Sequence, residues 1–132
     1  MAQEDKELLL RDLTARLPYG VICKCLHSNT VKATAIDTED LSVYYFDCDE
    51  WESIEHCKPY LRSMSSMTEE EMDKLAEFHI WNDGEKIFPD CNCKLSDVVS
   101  AMNWLNKKMF DYRGLIEKGL ALEAPEGMYE LK

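Results

Sequence analysis

The residues best equipped for chemistry in this chain are its six cysteines and three histidines. Four of the cysteines form two Cys-x-Cys pairs, Cys23/Cys25 and Cys91/Cys93. Brought together, those pairs would offer four thiolates, the donor set of a tetrahedral structural zinc. The spacing points elsewhere, because zinc knuckles usually separate their ligands by about two to four residues. Cys23 and Cys25 also fall in an apolar run that reads as a strand, where both share a face with Val21. Buried or partly buried thiols are therefore the expectation, and no metal ligand is assigned. His56 and Cys57 are adjacent and tend to point apart, whereas ligands must converge. His79 falls on an apolar helical stripe and reads as a packed histidine rather than a base. With six thiols equally eligible, no Cys-His nucleophile is singled out.

Other chemistries have less to recommend them. The chain holds no Walker loop, no G-x-G-x-x-G, no H-E-x-x-H and no G-x-S-x-G. Carboxylates are abundant, but no pair stands out as an acid and base. No catalytic, cofactor-binding or metal-binding residue is assigned, and nothing positive supports an enzyme. A net charge of −11 repels nucleic acid and anionic membrane and argues against direct phosphate binding. The acids are unevenly placed. From Asp37 through Glu55 there are eight Asp or Glu and no Lys or Arg, and Tyr44, Tyr45, Phe46 and Trp51 lie among them. A second acidic region runs from Glu69 to Asp90. Such a surface is a solvated face, a mimic of a phosphate backbone, or an acidic protein-binding surface with aromatic anchors.

These residues must be held by a scaffold of 132 residues, enough for one domain with a core and no disulfide staples. The acidic N-terminus lacks the positive charge of a signal peptide, and no apolar run approaches a membrane span. A cytoplasmic location with reduced thiols is expected. Leu9, Leu10, Leu13 and Leu17 recur at helical spacing over 4–17, and Pro18 ends the run. Strand-like runs follow at 20–27, 30–36 and 41–46, joined by links short enough to favour an antiparallel meander. A short helix is expected near Trp51, interrupted by Pro59. A second helix is expected over 68–80, with Met72, Leu75, Ala76 and His79 on one stripe.

That helix has a clear start. Thr68-Glu69-Glu70-Glu71 fits a capping box, and Met67 with Met72 fits a hydrophobic staple. Ser63, Ser65 and Ser66 before it are possible modification sites but need no such role. Asp83-Gly84 marks a turn, with a brief edge strand at 86–88. Ser96 is the expected cap of a helix carrying Val98, Met102, Leu105 and Met109. A last short helix is expected between Asp111 and Gly119, then an irregular tail. Tyr112, Leu115, Ile116 and Tyr129 would pack that tail, and Arg62 and Arg113 would pair with acids.

The segments "LPYGV" (17–21), "KPYLRSMSSMTEEE" (58–71), "WLNKK" (104–108) and "FDYRGLIEKGLALEAPEGMY" (110–129) resemble a family of short uncharacterised proteins from Bacteroides-type gut bacteria and their phages or mobile elements. The resemblance implies a bacterial accessory protein, plausibly phage-encoded, and supplies no catalytic residue, substrate or cofactor. It leaves the cysteine pairs outside its span.

The expected fold is therefore a single α+β domain: an N-terminal helix, a three-stranded antiparallel meander and C-terminal helices on one face. The expected function is an acidic, non-enzymatic protein-interaction module with an unknown protein partner. The alternatives are a DNA mimic that antagonises a nucleic-acid-binding host protein and, third, a small hydrolase or metal-binding protein.

Overall fold

The computed structural model describes residues 1–129. It is α+β, with an N-terminal helix, a six-stranded sheet, a two-stranded sheet and further helices. The chain divides into two compact units, Met1–Tyr60 with Leu115–Leu122, and Leu61–Gly114 with the segment from Glu123.

The first unit opens with α1 (Gln3–Arg16), acidic at its start and basic at its end as the helix dipole favours. Leu9 and Leu13 are fully buried on its inner face, and so are Asp12 and Arg16, one turn apart. A single 3-10 turn through Pro18 follows, and Gly20 takes a left-handed φ of 79° that a side chain would resist. Strands β1 (Ile22–Lys24), β2 (Val31–Asp37), β3 (Ser42–Tyr45), β4 (Glu50–Ser53), β5 (Lys58–Leu61) and β8 (Leu122–Glu123) line up in the order β4-β3-β2-β1-β5-β8.

The expected three-stranded meander is therefore not the sheet that forms. The sheet extends past β3 to β4 and past β1 to β5, and both additions come from the segment expected to be a short helix near Trp51. The physical reason is a tight loop at Phe46–Asp49. Tyr45 carbonyl accepts from the Cys48 N–H at 3.1 Å, and Asp49 adopts a left-handed φ of 50°, so the chain reverses before a helix can start. Pro59 then sits buried inside β5 rather than breaking a helix. Val31, Ala33, Val43 and Tyr45 face the core. Between Ala33 and Ala35 the register with β3 shifts by a bulge at Thr34, which twists the strand.

In the second unit, α2 (Glu69–Ala76) and α3 (Leu95–Lys107) flank a hairpin of β6 (Ile80–Asn82) and β7 (Ile87–Pro89). Leu75, Ala101, Leu105, Met64, Met67 and Phe110 build its core. The Thr68–Glu71 capping box forms in full. The helix it starts is shorter than expected, ending at Ala76, because the chain turns through His79 at φ 59° and Ile80 already belongs to β6. Met67, before the cap, is buried, and Met72 is exposed.

Ser96 lies inside α3 rather than capping it. Lys94 is the N-cap, its N–H held by the Asp97 carboxylate at 2.9 Å. The helix expected between Asp111 and Gly119 is a series of turns, with Gly114 and Gly119 both left-handed. Gly119 and Leu120 N–H groups donate to the Ile116 and Leu115 carbonyls, and Leu115 is fully buried.

Candidate protein-interaction surface

The cysteine pairs divide between the two units. Cys23 and Cys25 are buried in the first, whereas in the second Cys91 is exposed and Cys93 half-buried. Among the described residues, no three His, Cys, Asp or Glu side chains gather in a way that could hold a metal ion. Cys23 instead meets Cys57, the residue just before β5. The hydrogen bond with Cys57, together with burial, pushes the Cys23 thiol well up, and the same bond lowers Cys57. Burial likewise raises Cys25, and raises the Tyr45 hydroxyl beside them. Cys23, Cys25 and Tyr45, raised from values already above neutrality, are uncharged packing groups at neutral pH.

The histidines stay apart as well. His27 is exposed, with its Nε2 3.7 Å from Glu50 Oε2. His56 is exposed at the end of a 3-10 turn. His79 is not the packed histidine expected: its left-handed turn carries the ring outward, 44% exposed, with Nδ1 3.3 Å from Asp90 Oδ2.

Arg62 makes the ion pair anticipated for it, a bidentate contact in which both guanidinium nitrogens lie 2.7 Å from the Glu71 carboxylate. Burial alone would raise the Glu71 carboxyl. The Arg62 bonds and the Thr68 N–H outweigh it and hold the group below the ordinary glutamate value. Arg113 lies over the Tyr112 ring, 4.5 Å from its centroid. A polar cleft of about 670 Å³ in the second unit is lined by Arg62, Ser63, Ser66, Thr68 and Glu123 among others. Its arginine is already neutralised by Glu71, and Ser63 donates to Glu123 at 3.2 Å.

The most distinctive surface is the β3–β4 hairpin. Tyr45 and Glu50 close the Phe46–Asp49 loop, which leaves Phe46 71% exposed at its tip beside Asp47 and Asp49. Tyr44 donates its hydroxyl to Asp49, a bond that raises the phenol pKa and braces the loop from one side. Side chains alternate along the strands. Val43 and Tyr45 point into the core, so their partners Glu52 and Glu50 lie on that face, while Trp51 lies opposite beside Tyr44. The Tyr44 and Trp51 rings pack at a tilt, 5.2 Å between centroids, and Trp51 remains 53% exposed.

Glu52 is buried on the edge strand. One carboxylate oxygen accepts from the Leu26 N–H at 3.0 Å, while Oε2 has no hydrogen-bond partner among the described residues. Just past the strand, Glu55 is compensated: Lys6, at 3.1 Å, together with the chain amine lowers its pKa. Asp47 and Asp49 have no lysine or arginine partner among the described residues, and Glu50 has only the weakly basic His27.

Of the four aromatic residues in the first acidic region, the structure thus sends Tyr45 inside and leaves Phe46 and Trp51 out. Sequence reasoning missed that β4 is the strand presenting Trp51. The signal was the Glu-Trp-Glu-Ser alternation directly after Asp-Cys-Asp, a turn followed by period two. A second exposed aromatic pair, Trp81 and Phe88, faces across the β6–β7 hairpin.

No protein-family model, curated protein or solved structure matches the chain. No helix among the described residues is long and apolar enough to cross a membrane.

Proposed function

We propose that this chain is a non-enzymatic protein-interaction module, of the phage or mobile-element type its segments resemble, which binds a basic partner through the β3–β4 hairpin. The observation that carries the reading is the exposure of Phe46 and Trp51 beside Asp47, Asp49 and Glu50, which have no lysine or arginine counter-charge among the described residues. Aromatic anchors supply contact area at low entropic cost, and uncompensated acids select and steer a basic surface. A monomer gains no stability from holding two large rings in water beside like charges.

The test is affinity capture from a Bacteroides-type lysate with the native chain and the Phe46→Ala/Trp51→Ala variant. The expected result is a basic protein retained by the native chain, eluted by salt and missing from the variant. Identical captures by both would sink the reading. Displacement of the captured protein by duplex DNA would turn it into phosphate-backbone mimicry instead.

A further inference from the structure

The mode of binding can be taken further. We infer that β4 is a docking edge, and that its partner is an extended Lys/Arg-bearing segment that joins the sheet as an additional strand. The inference rests on the interaction reading above and specifies its geometry.

β4 ends the strand order and, among the described residues, pairs only with β3. In an antiparallel pair, opposite residues alternate between those that exchange hydrogen bonds and those that do not. The Ile54 N–H donates to the Leu41 carbonyl at 2.8 Å, which sets the phase. Two and four residues further along, Val43–Glu52 and Tyr45–Glu50 are the bonded pairs. The backbone N–H and C=O groups of Trp51 and Ser53 therefore aim away from β3, at the free edge. An incoming strand would bond to those two residues.

Its side chains would then fall into two rows. On the outer face they would lie against Trp51, which already leans on Tyr44. On the inner face they would meet Glu50, which is exposed, while Glu52 on that face is buried and already accepts from the Leu26 N–H. Lysine or arginine in that row would set a counter-charge against Glu50. Among the described residues, His27, beside Glu50, is the only basic side chain that an ion pair places against these carboxylates. The same glutamates repel a second copy of β4, because self-pairing would set carboxylate against carboxylate. This edge is closed to its own kind and open to a basic strand.

Calorimetric titration of the intact chain with synthetic peptides tests this without altering the protein, so misfolding cannot imitate a loss. The peptides are an alternating Lys/Val strand, its Glu/Val counterpart, and the Lys/Val strand with every second backbone nitrogen methylated, in both phases. The Lys/Val strand should bind and weaken with salt, and the Glu/Val strand should not bind. One methylated phase should bind about tenfold weaker, since two net hydrogen bonds are lost. Hydrogen exchange at the Trp51 and Ser53 amides should slow about tenfold on binding.

Equal binding of both methylated phases would overturn strand addition while leaving a charge-driven interaction standing. Absence of Lys/Val binding, or self-association through β4, would also overturn the docking geometry. Failure of the interaction reading itself shows separately, as lysate capture indifferent to Phe46 and Trp51.

Discussion

At the scale of single residues, the most consequential pair is one the sequence does not announce. Asp12 and Arg16 sit one turn apart in α1, fully buried, with Nε 2.9 Å from the carboxylate. In the sequence they look like ordinary helix charges, although they share the stripe of Leu9 and Leu13 at helical spacing. Removing one partner of a buried pair strands the other charge in a low-dielectric site. Asp12→Ala is expected to cost about 3–5 kcal/mol in urea denaturation, far beyond a surface substitution. A loss under about 1 kcal/mol would mean that the pair is solvated in practice. The cysteines teach the reverse lesson. The burial of Cys23 and Cys25 was legible from an apolar strand pattern, that of Cys91 was not borne out, and the partner of Cys23 is Cys57, the residue just before β5, which spacing alone cannot bring alongside.

At the scale of elements, local chemistry was the legible part and long-range pairing was not. The capping box at Thr68 and Glu71 follows from four consecutive residues and is present as read. Replacing Thr68 by alanine should cost about 1 kcal/mol. Glu71 adds a pH dependence. Its folded pKa is depressed, so its contribution is present above the ordinary glutamate value and is lost as acid carries the solution through the depressed one. The stability difference between the native chain and Glu71→Gln should therefore be largest near neutral pH and shrink on acidification; a gap that stays constant would assign Glu71 to packing alone. The strand order, by contrast, depends on what lies beside each strand. A helix near Trp51 and a strand at β4 have similar local composition. Only the left-handed turn at Asp49 and the pairing with β3 decide between them. The exposed aromatic residues belong to the same category: composition placed Tyr45, Phe46 and Trp51 together, and the register divided them between core and solvent.

At the scale of the whole molecule, charge is the dominant fact. A net −11 on 132 residues implies self-repulsion in the folded state, screened only by salt. Raising ionic strength from about 0.01 to about 1 M shortens the Debye length from about 30 to about 3 Å. The melting temperature should rise over that range, measured by differential scanning calorimetry, while any complex with a basic partner weakens. The opposing directions separate folding electrostatics from binding electrostatics in one titration; a melting temperature indifferent to salt would show that local pairs offset the net charge. The division into two units has a further use. Of the three tryptophans, Trp51 alone belongs to the first unit, while Trp81 and Trp104 belong to the second. A chain with phenylalanine at 81 and 104 would carry a single tryptophan, half in water and leaning on a tyrosine ring at the edge of the sheet. Its emission maximum would shift to the blue when that edge is covered, which makes the proposed binding strand its own optical reporter.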